Sequence, residues 1–124
     1  MKEQAQPTMR AFSILSDPVR RRILERLSDR ALSAGEVVDS VGEEFGITQS
    51  AISQHLKVLR ENGFARVRVD RARRIYSLDT SGLEDIDQWL APFRRFWEPK
   101  FEALAEEVER GKKKRKRRTR SHSG

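Results

Sequence analysis

The side chains in this sequence whose types and spacing could do chemistry lie in TQSAISQHLKVLRENG, Thr48 to Gly63, and the chemistry they suit is hydrogen bonding rather than bond breaking. Thr48 is placed to cap a helix by accepting from a free backbone N–H, and Gly63 follows the last turn, where a left-handed residue ends it. With about 100° between successive residues, Ile52, Leu56 and Leu59 share one narrow sector and must face a core. The opposite sector holds Ser50, Gln54, Lys57 and Glu61, with Ser53 and Arg60 on one flank and His55 close to the apolar edge. A merely solvated face in a chain this charged would carry mostly Lys and Glu. Ser, Gln and Lys toward the N-terminal end are instead the groups that meet base edges and phosphates when a helix enters the DNA major groove.

Other chemistries find little support. The chain has no Cys and two His, His55 and His122. Disulfides, thiolate metal sites and Cys nucleophiles are therefore excluded. A lone His beside serines makes no triad, no acid–base pair or phosphate-binding loop appears, and the seven glycines are scattered as stops and turns. The expectation is a protein that is not an enzyme and takes no metal and no cofactor. No run of 18 apolar residues occurs and MKEQAQPTMR lacks the apolar centre of a signal peptide, so the expected place is the cytoplasm, at the nucleoid.

The net charge of +7 misleads as a global figure, because Arg110 to Gly124 holds nine of the 26 Lys/Arg and no acid. The remainder has 17 basic against 19 acidic residues, so a nucleic-acid surface must come from local clustering. Such a cluster runs from Gln54 to Arg74: Lys57, Arg60, Arg66, Arg68, Arg71, Arg73 and Arg74 stand against Glu61 and Asp70.

The elements that must position these groups carry their own signals. Asp17-Pro18 starts a helix, VRRRILERLSD, with Val19, Ile23, Leu24 and Leu27 on its apolar side; its Arg20, Arg21 and Arg22 face either DNA or solvent. Ser33 and Glu36 have capping-box spacing before a third helix that ends at Gly46, two residues ahead of Thr48. Two helices joined by so short a turn form a helix-turn-helix. After Gly63 the period changes to two: FARVRVD and RRIYSLD make a β-hairpin with a basic tip, Asp70-Arg71-Ala72-Arg73. Lacking the glycine of a two-residue turn, that tip is expected to be longer or looser. A basic hairpin after a recognition helix is a wing for the phosphate backbone or minor groove.

Ser81 and Glu84 suggest another capping box, opening a helix from Leu83 to Arg110 with a kink or break at Pro92 or Pro99. Five of the nine aromatic residues lie between Trp89 and Phe101, too many for one helix on a small core, so the surplus should meet a partner. The final GKKKRKRRTRSHSG has no apolar residue and is expected to be disordered and to touch phosphates nonspecifically, or failing that an anionic membrane surface.

LSDPVRRRILERL, TQSAISQHLKVLRENGF and the strand ending IYSL together resemble the ArsR/SmtB type of winged helix-turn-helix repressor, and IDQWLAPFRRFWEPKFEAL resembles its SdpR-like branch. The expected fold is mainly α with a small β-hairpin wing: a flexible N-terminus at 1–7, the domain at 8–110 and the tail at 111–124. The resemblance implies a homodimer joined through its first and last helices, binding a palindromic double-stranded operator as a repressor of its own operon, relieved by a protein partner or by no ligand. The metal-sensing cysteines of the family are absent. Expected DNA contacts are Thr48, Gln49, Ser50, Ser53, Gln54, His55, Lys57 and Arg60, then Arg68, Arg71, Arg73 and Arg74 from the wing. For the interface they are Phe12, Leu83, Ile86, Trp89 and Leu90, then Phe93, Phe96, Trp97, Phe101 and Leu104. The competing reading is a protein-interaction or antirepressor module acting through the aromatic helix.

Overall fold

The computed structural model describes residues 2–99 and 104–111, with side chains from Pro7 onward. The tail expectations for 112–124 and the interface role of Phe101 lie outside the described residues.

The first helix, α1 (Lys2–Leu15), begins ahead of the boundary expected at Thr8 and accommodates Pro7 within its length. Helix α2 (Pro18–Asp29) starts as its sequence requires: Asp17 Oδ1 accepts from the N–H of Val19 at 2.8 Å and of Arg20 at 3.3 Å, with Pro18 first in the helix. A short strand, β1 (Leu32–Ser33), leads into α3 (Ala34–Val37), where the expected capping box is complete: Glu36 N donates to Ser33 Oγ at 3.1 Å and Ser33 N to Glu36 Oε1 at 3.0 Å. The third helix is not uniform. It widens into a π turn over Val38–Gly42, where Ser40 Oγ donates to the Glu36 carbonyl at 2.8 Å, and ends as α4 (Glu43–Phe45).

Gly46, at φ 63°, turns the chain, and Ile47 N closes the corner on the Gly42 carbonyl at 3.0 Å. Thr48 then caps α5 (Gln49–Glu61), accepting from Ala51 N at 3.1 Å. Ile52, Leu56 and Leu59 are buried as their spacing demands, against Ile23, Val37, Val41 and Phe64.

Strands β2 (Ala65–Asp70) and β3 (Arg73–Leu78) form the wing, and β1 adds to β3, giving a three-stranded antiparallel sheet in the order β1-β3-β2. The tip corrects the sequence expectation. Asp70 pairs with Arg73, so the loop is the two residues Arg71 and Ala72, and Arg71 takes φ 59° without being glycine. Continuous pairing from Ala65↔Leu78 outward outweighs the cost of a left-handed arginine, about 1–2 kcal/mol.

Helix α6 (Ser81–Leu90) departs from the expected capping box too. Ser81 is its first residue, and Asp79 Oδ1 caps the turn, accepting from Ser81 N at 3.0 Å and Ser81 Oγ at 2.8 Å. The α-helix then stops. Leu90 onward forms a separate compact unit that opens as a 3₁₀ segment, Ala91–Phe96, with Pro92 in its first turn. Pro92 has no N–H to continue the α ladder, which accounts for the change. Residues 98–99 and 104–111 are again helical. Among the described residues no helix is long and apolar enough to cross a membrane.

Candidate nucleic-acid interface

The outward face of α5 displays the side chains its periodicity predicts. Gln49, Ser50, Ser53, Gln54, Lys57 and Arg60 are exposed, and His55 is half-buried. Thr48 spends an oxygen lone pair on the cap, which leaves its hydroxyl hydrogen free to donate outward. On one flank the helix meets the wing: a concavity of about 280 Å³ is lined by Ser53, Gln54, Lys57 and Arg60 of α5 with Arg74 and Tyr76 of β3. Three cations and two short hydrogen-bonding groups thus converge on one strip, although Arg74 stands more than a dozen residues from the helix in sequence.

The wing arginines are not equivalent. Arg73 reaches Glu36 at 3.4 Å and Arg68 reaches Asp70 at 3.9 Å, whereas Arg71 and Arg74, like Lys57 and Arg60, have no ion-pair partner among the described residues. Arg66, on the same side of β2 as Arg68, lies 3.6 Å from Asp79. The unpaired four therefore carry most of the positive field. Exposed ion pairs are weak, so Arg68 and Arg73 can exchange their carboxylates for a phosphate at small cost.

Two carboxylates brace this frame. The N–H of Ser33, then its hydroxyl and Arg30, hold the Glu36 carboxyl below the usual range, and Glu36 touches both α3's start and the wing through Arg73. The N–H of Ser81, then its hydroxyl and Arg66, do the same for Asp79 at the start of α6.

The arginine run of α2, which sequence alone left between DNA and solvent, divides by residue. Arg22 is held by Glu44 at 2.8 Å and Glu25 at 2.8 Å, and those carboxylates raise its already high pKa. Arg21 donates to the Leu15 carbonyl at 2.6 Å, closing the end of α1. Arg20 instead reaches the recognition helix, its Nε donating to His55 Nδ1 at 3.4 Å. Sequence spacing could not show this, because the two residues are 35 apart and belong to helices whose packing decides the contact.

The expected interface residues also divide. Phe12 of α1 and Trp89 of α6 stand edge to face with centroids 5.2 Å apart, and they remain 40% and 47% exposed beside Met9, 69% exposed. Leu83 and Ile86, earlier on the same stripe as Trp89, pack half-buried against the core. Within the following unit Phe93, Phe96 and Leu104 are exposed, and Leu90 and Trp97 are half-buried. No group of three or more potential metal ligands occurs among the described residues.

Comparison with known proteins follows the same outline. The helix-turn-helix domain family matches residues 15–68. The HTH-type transcriptional regulator Rv2034 of Mycobacterium tuberculosis is 40% identical over 91 residues, covering 71% of this chain and 76% of that protein. The transcriptional repressor SdpR of Bacillus subtilis is 35% identical over 85 residues, covering 66% of this chain and 87% of its own. Among solved structures, an ArsR family transcriptional regulator, RHA00566, superposes with a TM-score of 0.62 at 24% identity over 79% of this chain and 94% of that one, a likeness of fold.

Proposed function

Since the chain belongs to the HTH-type, DNA-binding transcriptional regulators and has the ArsR-type winged helix-turn-helix fold, we propose that it acts as a homodimeric repressor of its own operon. The single observation that carries this is the strip where Ser53, Gln54, Lys57 and Arg60 of the recognition helix meet Arg74 of the wing. A helix about 10–12 Å across fits a major groove about 12 Å wide, and Gln54 at the centre of the outward face offers the two-pronged amide contact that adenine accepts. Ser50 and Ser53 are shorter and more tolerant partners, while the cations bind phosphates and set register.

Two such strips, held by a dimer built on α1 and α6, would engage the half-sites of a palindrome in the cytoplasm. The exposed Phe12–Trp89 pair with Met9 supports that choice of surface. The basic residues after Gly111 add phosphate contacts that carry no sequence information. Release would fall to a protein partner or to no ligand at all, as the family resemblance implies, and a chain without Cys and with two His lacks the family's metal-sensing cysteines.

Fluorescence anisotropy with the duplex upstream of the protein's own gene tests the reading. Gln54→Ala should cost about 1–3 kcal/mol of specific binding and relax the preference at one position per half-site. Operator affinity and base preference that both survive the change would mean that a different face meets DNA.

A further inference from the structure

We propose that Arg20, from outside the helix-turn-helix, is a phosphate contact on the flank of the recognition helix opposite the wing, and that His55 positions it. This rests on the repressor reading above and adds a residue to it. Three observations converge. First, Arg22 is paired with Glu44 and Glu25, while Arg20 and Arg21 have no acid within ion-pair distance among the described residues; of these two, Arg21 turns to the Leu15 carbonyl at the end of α1 and Arg20 to α5. Arg20's one side-chain bond among the described residues is from Nε to the accepting Nδ1 of His55, at 3.4 Å, so both terminal NH₂ groups remain available.

Second, the placement is lateral. About 100° per residue puts His55 and Ser53 on opposite sides of Gln54 around α5. Ser53 and Arg60 face the wing concavity with Arg74, so His55 and the guanidinium it holds lie along the other side. A helix in the major groove has a phosphate backbone on each side. Lys57, Arg60 and Arg74 line the wing side, and Arg20 is the α2 cation bonded to the opposite flank of the recognition helix.

Third, a guanidinium held through Nε is restrained while its outer edge stays open. Arginine loses side-chain entropy on meeting a phosphate, and a ring that already fixes the stem reduces that loss. Arg20 is itself half-buried against the protein, its backbone N–H donating to Asp17, so its reach is set by a rigid helix start.

Salt titrations on both the upstream duplex and a random duplex test the proposal in the full-length protein. Arg20→Gln keeps a donor for His55 and removes the charge; the slope of log affinity against log salt should become shallower by about 0.9 per subunit, with operator and random DNA weakened by the same factor. Arg20→Lys should keep the slope. His55→Ala should weaken binding, and in that background Arg20→Gln should cost less than it does alone. An unchanged slope in Arg20→Gln, or a slope lost equally in Arg20→Lys, would overturn the contact, and full additivity with His55→Ala would overturn the positioning role. The random duplex keeps these outcomes separate from the repressor reading, which fails if the upstream region binds no better than random DNA.

Discussion

The recognition helix and the aromatic surface of α1 and α6 treat their large side chains in opposite ways. In α5, Ile52, Leu56 and Leu59 are wholly buried and everything outward is polar. On α1 and α6, Phe12 and Trp89 pack on each other and stay two-fifths exposed or more, with Met9 beside them. The first region is complete within one chain, its apolar side satisfied and its polar side exposed to solvent, where the proposed function puts a wet, charged ligand. The second, under the proposed dimer, would be completed by its copy, because aromatic area left in water forgoes the burial that makes Trp and Phe dominate association. Where the domain leaves its apolar groups is what supports the proposed division between a DNA face on α5 and a self-association face on α1 and α6.

The largest way to break that contrast is on the aromatic side. Phe12→Glu with Trp89→Glu should yield monomers by light scattering, at a cost of at least about 2 kcal/mol of association, and lose operator binding while circular dichroism keeps its helical signal. A dimer of unchanged stability would move the interface elsewhere.

A smaller effect comes from the wing. Arg71 is held at φ 59°, a backbone that glycine adopts without strain, so Arg71→Gly should raise the stability to unfolding by roughly 1 kcal/mol while weakening DNA through a lost cation. Stability and affinity moving in opposite directions is the expected signature; a parallel loss of both in denaturant melts and anisotropy would show that the tip has another role.

The smallest concerns acidity. Asp79 and Glu36 have carboxyls held below their usual range, so the unfolded chain takes up their protons first as pH falls. Their contribution is full above about pH 5 and is lost as pH drops through the unfolded values near 4 toward the depressed folded ones. Asp79→Asn keeps an acceptor for Ser81 N–H but does not titrate, and should flatten the acid limb of stability against pH without changing its shape near neutrality. An acid limb as steep as that of the original protein would discount the Asp79 cap.

Much of this organisation is legible in the sequence because it is local. Asp17-Pro18, Ser33 with Glu36, and Thr48 each satisfy N–H groups within three residues of themselves, and Gly46 and Gly63 mark stops by a conformation that other side chains resist. What escaped is decided at a distance. Two residues, Leu32 and Ser33, become a strand only because Tyr76 and Ile75 lie beside them. The tip closes in two residues because the ladder behind it imposes the register, against the preference of Arg71. Leu83 and Ile86 share a periodic stripe with Trp89, and periodicity cannot say which of them the core will claim. The wing's Arg74 could be counted as basic from sequence, but its place beside Lys57 and Arg60 depends on how the sheet leans on α5.

One joint has a consequence for the operator itself. Gly63, at φ 77°, ends α5 and accepts a hydrogen bond from Gly82 N at 2.8 Å, while Phe64, fully buried, accepts from Asp79 N at 3.0 Å. A side-chain carbon at position 82 would sit 2.5 Å from the Phe64 ring, so helix and ring are in contact with no atom to spare. The element proposed to meet the bases is thus pinned, at its last turn, to the start of the element proposed to meet the second copy. In the proposed dimer, a two-fold axis would turn this joint into a ruler of fixed length, graduated in helical turns of DNA. Inserting one base pair between half-sites moves them about 3.4 Å and rotates one by roughly a tenth of a turn, and a ruler pinned in this way has no play with which to follow.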